Sequence, residues 1–163
     1  MAESESEETL PEVFLQPGET FLAREPTVIA TILGSCVGVT FWCGRLGIGA
    51  LCHSMLPRCP AGRLSIAAGC RYVDFCIRHL AWQFDSIGAL RTEVQVKVFG
   101  GADVLAVDNP RSRPTVGRLN FEAAIEVLHD EGYAVTASSV GNTFGRKIRF
   151  DTGSGEVRLV RLI

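Results

Sequence analysis

From Thr31 to Pro57 the chain reads TILGSCVGVTFWCGRLGIGALCHSMLP, two short apolar runs with a polar turn between them. Val37 to Trp42 is rich in β-branched and aromatic residues, Gly47 to His53 is a second apolar run, and Cys43-Gly44-Arg45-Leu46 joins them. This is the pattern of a β-hairpin. A loop of two residues (Gly44, Arg45) or of four (Cys43 to Leu46) sets Trp42 opposite Gly47 and Cys36 opposite His53. Directly opposed residues project from the same side of a sheet with Cβ atoms roughly 5 Å apart, so this register brings a thiol and an imidazole together. A one-residue slip would undo it. Alternation assigns Val37, Val39, Phe41, Ile48, Ala50 and Cys52 to a face that requires a core, and Cys36, Gly38, Thr40, Gly49, Leu51 and His53 to the opposite face. Two glycines on that second face leave a shallow trough for an extended substrate backbone.

A free thiol titrates near about 8.5 and only its thiolate attacks well, so a nucleophilic Cys36 needs a neighbour to take its proton. An imidazole does this and later returns the proton to a leaving amine. Leu33-Gly34-Ser35-Cys36 reads as a tight turn whose N–H groups around Ser35 and Cys36 can face a developing oxyanion. Thiol, base and oxyanion donors together describe acyl transfer from an amide or ester. Spacing alone leaves the other reading open, in which Cys36 is a small buried hydrophobe beside a satisfied histidine.

The same stretch resembles the chemoreceptor glutamine deamidases of the CheD family, which share a Thr-x-x-Gly-Ser-Cys-Val segment and a His-x-x-Leu-Pro segment. Here these are Thr31-Ile32-Leu33-Gly34-Ser35-Cys36-Val37 and His53-Ser54-Met55-Leu56-Pro57. Leu15-Gln16-Pro17-Gly18-Glu19 followed by Glu25-Pro26-Thr27 is similar to the family's opening strand and turn. Lys97-Val98-Phe99-Gly100-Gly101-Ala102 is similar to its Lys-x-Phe-Gly-Gly-Ala element, and Gly145-Arg146-Lys147 to its Gly-Arg-Lys segment. The likeness runs from about Phe14 to the C-terminus. It departs at Gly117-Arg118-Leu119-Asn120, where the family has Gly-x-Arg-Asn, and at Ser139-Val140-Gly141-Asn142, where it has an acidic residue before Gly-Gly-Asn.

The resemblance implies that Cys36 is the nucleophile, His53 its base and Thr31 a polar residue orienting His53. A neutral hydroxyl orients an imidazole less strongly than a carboxylate does. It also implies that Gly100 and Gly101 border a substrate groove, beside the oxyanion turn that contains Gly34 and Ser35. The implied reaction is hydrolysis of glutamine side-chain amides on the cytoplasmic helices of chemoreceptors, through a cysteine thioester and without a cofactor. A regulatory module that binds a CheC-type phosphatase of the response regulator is the alternative it carries.

The 163 residues make one domain's worth of chain with no visible internal repeat, and the formal charge of −2 gives no general case for binding nucleic acid. Cysteines at 36, 43, 52, 59, 70 and 76 form neither C-x-x-C pairs nor paired metal-ligand spacings, so no zinc site or disulfide framework is expected. No signal-like opening segment and no bilayer-length apolar run is visible, and a reducing cytoplasm without membrane insertion is the expectation. Glu3, Glu5, Glu7, Glu8 and Glu12 mark residues 1–13 as an acidic disordered tail ahead of a single domain over 14–163.

Strands are expected at Phe14 to Leu22, Thr27 to Leu33, Val94 to Phe99, Tyr133 to Val140, Gly145 to Phe150 and Glu156 to Ile163. A helix is expected from Ser65 to Phe84 on the stripe Ile66, Cys70, Val73, Ile77, Leu80 and Phe84. A second begins with Asn120 as N-cap, carries the stripe Phe121, Ile125 and Leu128, and stops at Gly132. Loops fall at Arg58 to Leu64 and Ala106 to Arg118. Arg146, Lys147 and Arg149 read either as a charged edge strand or as a surface for glutamate-rich receptor helices. Together these elements describe an α+β fold of mixed β-sheets packed as a sandwich, with helices outside.

Overall fold

A computed structural model describes residues 9–62, 64–104 and 113–163. Nine strands form two sheets: β1 (Glu12–Phe14), β3 (Val28–Leu33), β8 (Gly145–Asp151) and β9 (Val157–Leu162) in the order β1-β3-β8-β9, and β2 (Thr20–Ala23), β4 (Val37–Cys43), β5 (Ile48–Ser54), β6 (Gln95–Gly100) and β7 (Val135–Val140) in the order β2-β5-β4-β6-β7. Both sheets are mixed, since β1 runs parallel to β3 and β7 parallel to β6. Helices α1 (Ile66–Gly69), α2 (Val73–Ile87) and α3 (Val116–Asp130) complete the fold. No helix among the described residues is long and apolar enough to cross a membrane.

Three layers result. Val37, Val39, Phe41 and Cys43 of β4 and Ile48, Ala50 and Cys52 of β5 face the helices, where they pack with Val73, Ile77, Leu80 and Phe84 of α2 and Ala124, Val127 and Leu128 of α3. The ring of Phe41 meets Phe84 and Tyr133 at centroid distances of 5.5 and 5.2 Å. On the other side of the same strands lie Leu51 and Phe99, packed with Ile29, Leu33, Ile148 and Phe150 of the four-stranded sheet. The apolar face expected from alternation is therefore a core face.

Its opposite is not an open trough. Gly38 and Gly49 are buried, and a Cβ on Gly49 would stand 2.8 Å from Thr152, while one on Gly38 would stand 3.0 Å from Leu33. These glycines let the second sheet approach the first.

Other expectations need correction. The run Phe14 to Leu22 is two strands in different sheets, divided by a turn with Gly18 at φ +85°. Glu12 and Val13 pair with Val28 and Ile29, so the fold begins inside the expected tail; residues 1–8 of that tail lie outside the described residues. The helix expected from Ser65 to Phe84 breaks after Gly69. Arg71 O accepts from the N–H groups of Met55 and Leu56, and Ser54 Oγ donates to Cys70 O, so the backbone between α1 and α2 pairs with the chain leaving β5. The second long helix starts at Val116, capped by the Thr115 hydroxyl, which accepts from Arg118 N–H. Asn120 thus lies inside it, and the buried stripe is Asn120, Ala123, Ala124, Val127 and Leu128 while Ile125 is exposed. The loop expected from Ala106 to Arg118 lies partly outside the described residues.

Strand β8 is central rather than an edge, between β3 and β9. Lys147 and Arg149 are exposed, but Arg146 is fully buried and belongs to no surface cluster. It donates through Nε to Ser139 Oγ and through Nη1 to the carbonyls of Gly141 and Phe144.

Candidate active site

Three pieces of chain meet at one end of the seam between the sheets. Strand β3 brings Thr31 from the four-stranded sheet and β5 brings His53 from the five-stranded sheet; both are buried. The turn Gly34–Cys36 carries the chain from β3 across to β4, and Cys36 on it is half-buried against the inter-sheet cluster.

The hairpin register differs from the expected one by two residues. Its loop is Gly44–Gly47, so Cys43 opposes Ile48, Trp42 opposes Gly49 and His53 opposes Gly38. Cys36 precedes the ladder altogether. A two-residue shift keeps every side chain on its face, which is why His53 still points to the side where Cys36 lies. Cys36 and His53 make no hydrogen bond to each other: His53 Nε2 is buried with no partner among the described residues.

Thr31 Oγ1 donates to Leu15 O at 2.8 Å and lies 2.7 Å from His53 Nδ1. A hydroxyl has one proton, so making both bonds requires His53 to donate through Nδ1–H and leaves Nε2 with the lone pair. The His53 backbone is held on both sides by the turn after β1, through Gly18 N–H to His53 O at 2.7 Å and His53 N–H to Glu19 O at 2.9 Å. Burial lowers the His53 pKa to about 4, against a small opposing effect of the Glu19 carboxylate, so the ring is neutral at neutral pH. Burial also pushes the Cys36 thiol up, partly offset by its own backbone N–H.

The cysteine turn is anchored through its carbonyls. Gly34 O accepts from Ala102 N–H at 3.0 Å, Cys36 O from Gly101 N–H at 2.9 Å, and Ser35 O from Asn120 Nδ2 at 2.9 Å. In a trans peptide the N–H points opposite to the C=O. With Gly34 O and Ser35 O turned into the protein, the N–H groups of Ser35 and Cys36 point the other way, and neither donates to an oxygen among the described residues, the Cys36 N–H meeting only its own sulfur. They are geometrically suited to an oxyanion.

Gly100 and Gly101 do not border a groove. Both are buried behind the turn, with Gly100 at φ +98° and a Cβ there falling 2.2 Å from Cys36 O. A cavity of about 290 Å³ lies beside the turn, lined by Ser35, Ala102, Asp103, Val104, Thr115, Val116 and Gly117 but not by Cys36 or His53.

Two contributors escaped the sequence reading. The Leu15–Glu19 segment was recognised only as an opening strand and turn, although Gly18 signals a positive φ. Asn120 looked like a helix cap. It is fully buried, and its Nδ2 reaches both Ser35 O and, at 3.0 Å, Met55 O. No spacing rule connects position 120 to positions 35 and 55.

Residues 55–161 match the family model described as CheD chemotactic sensory transduction. The chain is 44% identical over 153 residues to a Geobacter sulfurreducens protein named "Probable chemoreceptor glutamine deamidase CheD 2", covering 94% of this chain and 91% of that one. It is 36% identical over 156 residues to a Maridesulfovibrio salexigens protein of similar name, covering 92% and 91%, and 38% identical over 150 residues to one from Pseudomonas fluorescens, covering 90% and 82%. A family match over most of the chain, joined to relatives alike across nearly their whole length, means that this chain belongs to the CheD family.

Proposed function

We propose that the chain is a chemoreceptor glutamine deamidase, hydrolysing glutamine side-chain amides on receptor helices to glutamate with release of ammonia. Cys36 is the nucleophile, His53 the general base and acid, and Thr31 the residue that fixes the His53 tautomer. The 2.7 Å contact between Thr31 Oγ1 and His53 Nδ1 carries this reading, because it leaves Nε2 as the ring atom able to take a thiol proton.

Both groups are neutral before substrate arrives. As the Cys36 sulfur bonds to the amide carbon, Nε2 takes the thiol proton and the carbonyl electron pair moves onto oxygen, facing the N–H groups of Ser35 and Cys36. Catalytic hydrogen bonds that are long in a free enzyme tighten when the substrate is held. The tetrahedral intermediate collapses by breaking the C–N bond, and His53 gives its proton to the departing ammonia. A water molecule, deprotonated by Nε2, then attacks the thioester; the C–S bond breaks, leaving glutamate and the Cys36 thiol. The cavity beside Ser35, with Val104 and Val116 as apolar walls, suits an aliphatic part of the substrate next to the reacting amide. Gly101 acts from behind, by donating its N–H to Cys36 O, and Gly100 by leaving room for that carbonyl.

Six free cysteines suit a reducing cytoplasm, where receptor helices are accessible. The test is co-expression of a receptor cytoplasmic fragment with the wild type or with Cys36→Ala, followed by peptide mass mapping. Wild type converts specific glutamines to glutamate and Cys36→Ala converts none; equal conversion by both would remove the mechanism. A Cys36→Ala protein that still captures a CheC-type phosphatase would add a binding role beside the enzymatic one.

A further inference from the structure

Asparagine is a poor choice for a buried position in mid-helix, since it has low helix propensity and polar groups that need partners. Asn120 occupies such a position in α3 with no exposed surface. Both of its amide protons are used, on Ser35 O at 2.9 Å and Met55 O at 3.0 Å, and its Oδ1 is buried without a partner among the described residues. An unpartnered buried oxygen costs roughly 1–3 kcal/mol, which an apolar side chain would avoid, but that side chain would leave Ser35 O and Met55 O without these donors. The position is explained by what the amide protons do.

We propose that Asn120 is a positioning residue for the oxyanion hole. By holding Ser35 O it fixes the plane of the Ser35–Cys36 peptide, so that the Cys36 N–H, on the opposite edge of that plane, donates to the oxygen of the tetrahedral intermediate. The same side chain holds Met55 O, two residues beyond His53, and so ties the nucleophile's turn to the end of the base's strand. The inference rests on acyl transfer at Cys36 and assigns the group that orients its oxyanion donor.

Two reactions of Cys36 separate this role from general support of the fold. Amide hydrolysis passes through an oxyanion, whereas alkylation by iodoacetamide does not. In Asn120→Leu and Asn120→Ala, kcat on a receptor glutamine peptide should fall about 10²- to 10³-fold, the effect of losing one oxyanion donor. KM should stay within about twofold, as expected for an interaction made only in the transition state. The alkylation rate and its pH profile should match the wild type. A peptide carrying an aldehyde in place of the glutamine amide should form a weaker thiohemiacetal with the variants. Unchanged kcat, or alkylation falling in step with kcat, would overturn the proposal.

If neither variant folds, the wild type decides. Its ¹⁵N-labelled Cys36 amide proton should move downfield when the aldehyde adduct forms, and an unmoved signal would overturn the assignment. A wild type that forms the adduct with this dependence on Asn120 but deamidates no receptor peptide would sink the receptor reading and leave this one standing.

Discussion

Burial holds the pKa of His53 at about 4, against 6.5 for an unperturbed imidazole. As pH falls below 6.5 the unfolded chain takes up a proton at this position and the folded protein does not, so unfolding becomes easier until the folded state also protonates near 4. The loss accumulates between those values and levels off below them, amounting to about 3 kcal/mol. Urea unfolding at pH 7 and pH 4.5 should show the larger part of this loss in the wild type and little of it in His53→Gln. Equal acid sensitivity in the two proteins would mean that His53 is solvated and charged. The same depression moves the acid limb of kcat/KM for deamidation well below the usual histidine range, so activity should persist at pH 5. Thr31 matters here through geometry rather than charge, since its hydroxyl decides which ring nitrogen carries the proton.

Strand β6 ends in a glycine that no other residue can replace without moving the Cys36 peptide. Gly100 sits at φ +98°, and a Cβ would meet Cys36 O at 2.2 Å. Gly88 has a similar φ of +103° with nothing within 4 Å of its Cβ position, which makes it the control for strain alone. Gly88→Ala should cost about 1–2 kcal/mol. Gly100→Ala should cost at least about 1 kcal/mol more and should also slow deamidation, because relief of the clash displaces the Cys36 peptide. Urea unfolding and the deamidation rate check both; matched costs and an unaltered rate in Gly100→Ala would show that the turn yields harmlessly. The elements themselves were largely legible, because alternation in β4 and β5 and the stripe of α2 are local patterns. The hairpin register was not, since the four-residue loop begins one residue later than the sequence suggests, yet the error kept each side chain on its correct face. The break between α1 and α2 was hidden because Cys70, Val73 and Ile77 continue the stripe across it, while the cause is pairing of Arg71 with Met55 and Leu56. Arg146 defeated the reading in the opposite sense, a charge that charge patterning puts outside and hydrogen bonds to Ser139, Gly141 and Phe144 hold inside.

Across the whole molecule, β4 and β5 belong to both cores at once, buried by the helices on one face and by the four-stranded sheet on the other. Neither outer layer retains an apolar surface to pack on without them, so the two sheets and the helices should unfold as one cooperative unit. Two tryptophans report the layers separately: Trp42 lies between the sheets with Nε1 donating to Thr152 O, and Trp82 is exposed on α2. In Trp82→Phe the fluorescence of Trp42 and the helical circular dichroism should change at the same urea concentration; helices that melt first would divide the chain into two units. The seam between the sheets has a consequence for synthesis. A ribosome-bound chain that has emerged only as far as Pro57 already holds the thiol, the imidazole and the hydroxyl. It still lacks Gly101, Ala102 and Asn120, so the turn that carries Cys36 has none of its anchors. The nascent polypeptide should therefore deamidate the glutamines around it far more slowly than the finished chain.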